Sequence, residues 1–233
     1  MKLKDKYAIV TGAGKGIGKS IAIALMENDV NVFGISRTKS DLESIKEKYS
    51  KIFDFAVGDI TDMIFLNSIK SKFQDADILI NNAGFGIFKP FQEMETDEFR
   101  SVLETNLIGS FSVAKLAIPY MIKNNHGAIV NISSLAGQNT FERGSAYCAS
   151  KFGLNALSDC MMLDLRKHNI KVITVSPGTV ITDFSDKGGW NKERIESYPT
   201  ADDIAQIVID SLKLDDRCLV SKYEIRPTNP IKK

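Results

Sequence analysis

Cysteine and histidine are scarce in this chain of 233 residues. There are three cysteines, Cys148, Cys160 and Cys218, with no Cys-x-x-Cys pair among them, and the two histidines, His126 and His168, lie far from any cysteine. A disulfide framework needs paired cysteines, and a zinc site needs ligands at short, regular spacing. We therefore expect no metal site and no disulfide, with the thiols buried as small apolar groups and the imidazoles at the surface.

Net charge and long apolar runs are lacking as well. The chain has 30 basic and 29 acidic residues, whereas domains that bind nucleic acid or anionic membranes through bulk electrostatics are usually strongly basic. No stretch approaches the roughly 18 consecutive apolar residues of a membrane span. The apolar run Tyr7–Val10 is too short for the core of a signal peptide. We predict no nucleic-acid partner, no membrane partner and a cytoplasmic location.

No tract rich in proline, glycine or serine interrupts the chain and no internal repeat is present, so residues 1–233 are predicted to form one domain. Short runs rich in β-branched and aromatic residues alternate with longer stretches of helical periodicity. The predicted fold class is α/β, a single-domain doubly wound Rossmann fold with a seven-stranded, mostly parallel sheet and helices on both faces. The strands are expected at Tyr7–Val10, Asn31–Ile35, Ile52–Val57, Asp77–Ile80, Ala128–Ile132, Lys171–Val175 and Cys218–Ile225, and two long helical regions at Thr96–Lys123 and Ser145–Lys167.

A glycine-rich loop joins the first predicted strand to the first predicted helix. Glycines permit a tight turn and let backbone N–H groups approach a pyrophosphate at the positive end of a helix. In doubly wound sheets, ligands bind beyond the carboxyl ends of the strands, where this loop lies. The loop predicts a dinucleotide site, while its spacing alone also fits a glycine-rich turn without a ligand. It reads Thr11-Gly12-Ala13-Gly14-Lys15-Gly16-Ile17-Gly18.

The end of the second strand discriminates between nicotinamide cofactors. A carboxylate there usually holds the ribose of NAD(H), whereas the 2′-phosphate of NADP(H) needs cations. This chain has Ser36 and Arg37 there without a carboxylate, and Lys15 in the glycine loop offers a second cation. Two cations make this end of the sheet positive and favour NADP(H) as the cofactor, unless both are solvated surface residues.

In the next helix, Ser40 and Glu43 match a capping box.

Further motifs end the fourth and fifth strands and open the second long helix. Together with the glycine loop they resemble the short-chain dehydrogenase/reductase family, and the resemblance extends from residue 7 to about residue 227. In that family a serine lies 13 residues before the tyrosine, which selects Ser134 over Ser133. The motifs are Asn81-Asn82-Ala83-Gly84, Ser133-Ser134 and Tyr147-x3-Lys151, and the resemblance implies Asn106, Ser134, Tyr147 and Lys151 as the catalytic residues.

Tyr147 and Lys151 also have a physical rationale, because residues i and i+4 share a helix face. Bringing a phenol of pKa about 10 to neutral pH takes about 4 kcal/mol, and an ammonium about 5 Å away supplies about 3 kcal/mol at an effective dielectric near 20. The positive nicotinamide of the oxidised cofactor would add the rest. We expect Ser134 to orient the substrate oxygen and Tyr147 to exchange its proton. Lys151 would lower the pKa of the phenol and hold the nicotinamide ribose, and Asn106 would anchor a water that relays the proton.

The resemblance implies further contacts to the cofactor. Asp59 would accept from the adenine amino group, unless it only caps the following helix. Pro177 and Gly178 would lie beside the nicotinamide amide, unless they only form a turn. The predicted cofactor-binding residues are Gly12, Gly14, Lys15, Gly16, Ile17, Gly18, Ser36, Arg37, Asp59, Ile60, Asn82, Ala83, Gly84, Tyr147, Lys151, Pro177, Gly178, Val180 and Thr182.

The substrate region is expected to combine a short lid, Asp183–Thr200, with aromatic side chains. Five aromatic side chains would line an apolar pocket for a small-molecule carbonyl substrate, unless they only pack against their neighbours. They are Phe85, Phe88, Phe141, Phe184 and Trp190.

The loop motifs and the sequence Ile225-Arg226-Pro227-Thr228 are most similar to small NADPH-dependent carbonyl reductases of the sepiapterin-reductase type. This similarity implies reversible reduction of a ketone to a secondary alcohol by hydride transfer. It also implies a homodimer or homotetramer joined through the two long helices. A 3-oxoacyl-acyl-carrier-protein reductase is an alternative, although such enzymes usually have glycines where Arg226 and Pro227 stand. An NADP-sensing or binding protein without catalysis is an alternative of another class, and a sugar-nucleotide epimerase or dehydratase would need a larger substrate domain.

Overall fold

A computed structural model of the protein describes residues 1–182 and 197–229. Its centre is a seven-stranded sheet in the order β3-β2-β1-β4-β5-β6-β7, and every neighbouring pair of strands is parallel. The predicted doubly wound sheet is confirmed, with all strands parallel rather than most. The strands are β1 Tyr7–Thr11, β2 Asn31–Ser36, β3 Phe53–Val57, β4 Ile78–Asn81, β5 Gly127–Ile132, β6 Ile170–Pro177 and β7 Lys222–Ile225.

Helices cover both faces of this sheet, as predicted. Helices α1, α2 and α7 pack on one face, and α3, α5 and α6 pack on the other. The helices are α1 Gly16–Met26, α2 Lys39–Lys48, α3 Met63–Ser68, α4 Thr96–Leu103, α5 Ser110–Asn124, α6 Ser145–Leu165 and α7 Ala201–Lys213. None of the helices in the described ranges is long and apolar enough to cross a membrane.

Alternation along the strands divides the apolar core in two. Ala8 and Val10 of β1 face the cluster under α1 and α7, whereas Ile9 between them faces the cluster under α5 and α6. Every residue of β5 and β6 is buried, as expected for the middle of a parallel sheet that is covered on both faces. The sheet is therefore a rigid platform, and its carboxyl ends present the loops that carry the sequence motifs.

Several predicted boundaries differ from the structure. The long helical region Thr96–Lys123 is present but contains a π-helical stretch, Glu104–Gly109, between α4 and α5. The region Ser145–Lys167 is α6 followed by a short 3-10 turn. The last strand was expected from Cys218 but begins at Lys222, because the N–H of Cys218 donates to Asp215 O (2.8 Å) in a turn after α7.

The predicted capping box of Ser40 and Glu43 is wrong. Helix α2 begins at Lys39, so Ser40 lies inside the first turn, and the residue at the cap, Thr38, makes no side-chain capping bond. Glu43 pairs instead with Lys39, one turn earlier (3.3 Å). This early start places Asp41 in the first turn of α2, next to the end of β2.

The thiols were all expected to be buried, but only Cys148 is, while Cys160 and Cys218 are exposed. Most of the predicted lid Asp183–Thr200, including Phe184 and Trp190, lies outside the described residues. Ile181, two residues before this segment, and Thr200, its last residue, form a parallel β-bridge. The entry to and exit from this segment are therefore held side by side.

Candidate active site

The loops after β1 and β4 meet at the carboxyl edge of the sheet. These strands are neighbours, and the chain runs outward from them in opposite directions, to β2 on one side and β5 on the other. Thr11 Oγ1 accepts from the N–H groups of Asn82 (3.0 Å) and Ala83 (3.1 Å), and Asn82 Nδ2 donates to Thr11 O (3.1 Å). Such a switch point is where ligands bind in doubly wound sheets.

The geometry of the glycine loop fits a bound pyrophosphate. Gly12 has a φ of +66°, and a Cβ placed there would lie 2.7 Å from Asn82 Nδ2, so neither the backbone nor the space admits another residue. Lys15, at the start of α1, makes no side-chain capping bond, and the first turn of α1 holds no acidic residue. The positive end of α1 is therefore open to an anion.

The predicted residues beyond β6 also reach this edge. Pro177 pairs with Ile225 of β7, and the N–H of Gly178 donates to Ile225 O (2.9 Å), so the turn is held by the sheet. Val180 is buried. Thr182 lies against the glycine loop, since a Cβ placed on Gly16 would lie 3.3 Å from Thr182 Cγ2.

Two carboxylates lie among the cations predicted to hold a 2′-phosphate. Lys15 Nζ lies 3.6 Å from Asp41 Oδ2, and Arg37 Nη1 lies 3.6 Å from Asp59 Oδ2. The sequence around Ser36 contains no carboxylate, yet the two aspartates make the pocket less positive than expected. The reason is spatial, because the first turn of α2 and the loop after β3 bring the two aspartates to the end of β2.

Asp59 does not cap the helix that follows, and that alternative is wrong. Its Oδ1 accepts from Thr61 N and Thr61 Oγ1 (both 2.9 Å), and the cap of α3 is Asp62, which accepts from Ile64 N (2.8 Å). Oδ2 of Asp59 faces Arg37. Ile60 is buried and packs against Gly109, so its side chain belongs to the core.

Ser134, Tyr147 and Lys151 are brought together by β5 and α6. Ser134 directly follows Ser133 at the end of β5, and its Oγ accepts from Ala136 N (3.1 Å). Lys151 is buried, donates to Ile132 O (2.8 Å) and places its Nζ 5.8 Å from the centre of the Tyr147 ring. The motif residues, which are separated in the sequence, therefore form one cluster at the carboxyl edge of the sheet.

The pKa values within this cluster differ from expectation. Burial raises the pKa of Tyr147 to about 12, and a hydrogen bond with Ser134 lowers it only in part. Burial lowers the pKa of Lys151 from 10.5 to about 8. Loss of hydration is the largest cause of the raised Tyr147 pKa, and the group that lowers it is Ser134. That Lys151 lowers the pKa of the phenol together with the oxidised cofactor stays a prediction.

Asn106 lies in the π-helical stretch, fully buried. Its Oδ1 accepts from Phe85 N, and its Nδ2 donates to Phe85 O and to Ser150 Oγ, each at 2.9 Å. Both amide hydrogens are thus used within the protein. The side chain ties the loop after β4 to Ser150 of α6, three residues from Tyr147 along the helix. The role of Asn106 in anchoring a water stays a prediction.

Aromatic rings continue the row that begins at Lys151 and Tyr147. The rings of Tyr147 and Phe88 meet edge to face at 5.6 Å, and Phe141 lies 5.9 Å beyond Phe88. Arg143 joins the two loops that carry these phenylalanines, because its guanidinium donates to Phe88 O (3.2 Å) and its carbonyl accepts from Lys89 N (3.1 Å). Of the predicted pocket residues, Phe88 therefore contacts Tyr147, and Phe141 lies behind Phe88.

Sequence reasoning missed Asp41, Ser150 and Arg143. Asp41 carried a signal, since it lies one turn into the helix after Arg37. Ser150 and Arg143 carried none, because only the fold brings them to Asn106 and Phe88. Within residues 1–182 and 197–229 no group of three or more His, Cys, Asp or Glu side chains is placed to hold a metal.

Fold and site together define a dinucleotide-binding oxidoreductase of the α/β class. The model of the family described as short chain dehydrogenase matches residues 6–192, and the chain belongs to that family.

Individual relatives are similar over most of their length. The chain is 32% identical to the sepiapterin reductase of Chlorobaculum tepidum over 236 residues, which covers 95% of this chain and 96% of that protein. It is 35% identical to the L-xylulose reductase of Mesocricetus auratus over 190 residues, 81% of this chain and 77% of that protein. Among solved structures, a metagenomic short-chain oxidoreductase in complex with NADP superposes with a TM-score of 0.85 at 29% identity, covering 99% of this chain and 100% of the other.

Proposed function

We propose that the protein is an NADP(H)-dependent carbonyl reductase that reversibly reduces a ketone of a small molecule to a secondary alcohol. The observation that carries the proposal is the cluster of Ser134, Tyr147 and Lys151 beside the glycine loop, at the same edge of the sheet. A cytoplasmic location for this activity stays a prediction.

NADP(H) is proposed because Lys15 and Arg37 stand where a 2′-phosphate would need cations. The relatives support the choice, since solved structures similar to this chain contain NADP. The glycine loop and the open end of α1 would hold the pyrophosphate, and the other predicted cofactor residues would complete the site. When bound, NADP(H) supplies or accepts the hydride.

The roles of the protein groups follow from their chemistry. Ser134 Oγ orients the carbonyl oxygen, and Tyr147 Oη gives that oxygen its proton as the carbonyl carbon is reduced. A phenol with a pKa of about 12 is protonated at neutral pH, which is the form that reduction requires. Lys151 Nζ, held by Ile132 O, supplies positive charge next to the phenol and would contact the nicotinamide ribose. Asn106 holds the loop after β4 in place.

Two alternative functions differ from a small-molecule carbonyl reductase in the residues they need or in the compound they reduce. An NADP-sensing protein without catalysis would not need Ser134, Tyr147 and Lys151 as an intact set. A 3-oxoacyl-acyl-carrier-protein reductase shares this chemistry, and the carbonyl compound that is reduced decides between the two. The similarity to a sepiapterin reductase and an L-xylulose reductase favours small carbonyl compounds.

We propose a homodimer through α5 and α6. Apolar side chains form an exposed stripe along α6, and Ile108 and Phe111, 47% and 46% exposed, lie on the adjacent π-helical stretch and the start of α5. Contiguous apolar surface of this kind marks an interaction site. The stripe consists of Ala149, Phe152, Ala156, Cys160 and Leu163.

Replacing Tyr147 by phenylalanine tests the proposal. NADPH oxidation would be followed with ketones, diketones, pterins, quinones and 3-oxoacyl thioesters, and NADPH binding would be measured by its fluorescence. We expect Tyr147→Phe to lose turnover by at least about 100-fold while it binds NADPH normally. Tyr120→Phe, a variant on α5 outside the cluster, is the control and should keep full activity. Retained activity in Tyr147→Phe would refute the mechanism.

A further inference from the structure

Asp41 faces the pocket at the end of β2, where the 2′-phosphate of the proposed cofactor would bind. Its side chain is only 21% exposed, whereas its partner Lys15 is 61% exposed, and their charged atoms are 3.6 Å apart. The carboxylate is therefore turned inward and the ammonium outward. A bound anion would meet both groups.

Gly14 and Ser36 define how close the carboxylate comes to this pocket. A Cβ placed on Gly14 would lie 3.0 Å from Ser36 Oγ, 3.0 Å from Asp41 Cβ and 3.4 Å from Asp41 Oδ2. Asp41 and Ser36 thus flank the same small space beside the glycine loop. A side chain at Gly14 would crowd both residues, so the glycine is what lets them lie this close to the loop.

We propose that Asp41 opposes binding of the 2′-phosphate and so reduces the preference of the protein for NADPH over NADH. The inference rests on the proposed cofactor. It adds a negative determinant of specificity to the two cations, Lys15 and Arg37.

Two effects of Asp41 act in opposite directions. By pairing with Lys15 it could orient the ammonium for the phosphate, but an ion pair between a mostly exposed lysine and an aspartate contributes little order. Its charge repels a group of roughly −2 charge in the same pocket, which is a direct Coulomb effect. Repulsion is the larger effect, and removing it should tighten NADPH binding by about 3- to 10-fold.

NADH responds differently because it has a hydroxyl at the 2′ position. A carboxylate at this pocket can accept a hydrogen bond from a ribose hydroxyl, as acidic residues do in NAD(H) sites. Neutralising Asp41 should therefore leave NADH binding unchanged or weaken it. The ratio of the two affinities rises in either case.

The test compares dissociation constants for NADPH and NADH, measured by cofactor fluorescence in the full chain. The variants are Asp41→Asn and Asp41→Ser, with Glu43→Gln as the control. Glu43 lies on the same helix, and its partner is Lys39, so its loss changes the charge of α2 without changing the pocket. We expect both Asp41 variants to bind NADPH about 3- to 10-fold more tightly at low salt. This gain in NADPH affinity should shrink at about 1 M salt, because the Debye length there is only about 3 Å.

The inference is overturned if NADPH binds the Asp41 variants with unchanged or lower affinity while Glu43→Gln behaves like the parent protein. Lys15→Ala and Arg37→Ala separate this result from a failure of the proposed cofactor. If those two variants bind NADPH as well as the parent does, the 2′-phosphate assignment itself is wrong. If they bind it more weakly and Asp41→Asn does not bind it more tightly, only the role of Asp41 is wrong.

Discussion

Replacing Lys151 by methionine should stabilise the fold at neutral pH while it abolishes turnover. Lys151 is 5% exposed and has one hydrogen-bond acceptor, Ile132 O, at 2.8 Å. Burial lowers its pKa from 10.5 to about 8, which corresponds to about 3 kcal/mol of stability lost by keeping the charge at pH 7. Methionine has a similar length and no charge, but it leaves Ile132 O without a donor, at a cost of about 1 kcal/mol. The expected net gain is about 2 kcal/mol.

Urea unfolding at several pH values measures this effect. Below pH 8 the lysine is protonated in both the folded and the unfolded chain, so its cost is constant. From about pH 8 to pH 10.5 the unfolded chain binds more protons, so the stability of the parent protein rises with pH through this group. The free energy of unfolding of Lys151→Met lacks this rise with pH. The stability advantage of the variant over the parent should therefore nearly disappear by about pH 9.5. Tyr147 acts with the opposite sign, but only above pH 10.

Lys171→Met is the matched control. Lys171 is 7% exposed, yet it donates to Leu214 O (2.8 Å) and Asp215 O (3.1 Å) and pairs with Asp216 (3.5 Å). Its replacement removes three charge-assisted contacts, although Leu214 O and Asp216 keep the N-terminal ammonium and Asp215 O keeps Cys218 N as partners. This variant should therefore be less stable than the parent. If Lys151→Met were also less stable at pH 7, or if both variants kept the same pH dependence as the parent, the argument from burial of Lys151 would be refuted.

Three further substitutions test the other parts of the site. Asn106→Ala should lower the free energy of unfolding by about 2 to 4 kcal/mol in a urea titration, because it removes the three hydrogen bonds of a buried side chain. An effect below about 1 kcal/mol would contradict the structural role of this amide. Phe88→Ala should raise KM for apolar ketones by about 10-fold with unchanged NADPH affinity, since it removes the ring that borders Tyr147; equal KM values would show that Phe88 does not contact substrate. Phe111→Glu should convert the proposed homodimer to monomers in light scattering after size-exclusion chromatography, and a variant that stays dimeric would place the interface elsewhere.

The architecture could be predicted from sequence because its signals are local. Buried strands such as Ala128–Ile132 read as apolar β-branched runs, and the loop from Gly12 to Gly18 follows the first of them directly. Once strands and crossovers are assigned, the carboxyl edge follows, and so does the convergence of Ser134 with Tyr147. The spacing between residues i and i+4 on α6 is likewise fixed by helical geometry.

The features of the site that could not be predicted depend on contacts between residues that are distant in the sequence. Asn106 is bound to Phe85, 21 residues away, and to Ser150, 44 residues away, and no local pattern announces either partner. The two ion pairs near the 2′-phosphate pocket could not be predicted for the same reason, since only folding brings Asp41 to Lys15 and Asp59 to Arg37. The pKa of Tyr147 depends on burial, and the sequence does not state how deeply a side chain is buried.

The π-helical stretch Glu104–Gly109 makes chain length as important as residue identity. A π turn contains one residue more than the α-helical turn it replaces. Deleting one residue before Asn106 would restore a regular α-helix in which α4 and α5 keep nearly the same phase, because the wider turn is what absorbs the extra residue. Asn106 itself would move back by one helical position, about 100° around the axis, and turn away from Phe85. Point substitutions on the exposed side of this stretch leave that contact intact, whereas a single deletion breaks the tie between the loop after β4 and α6.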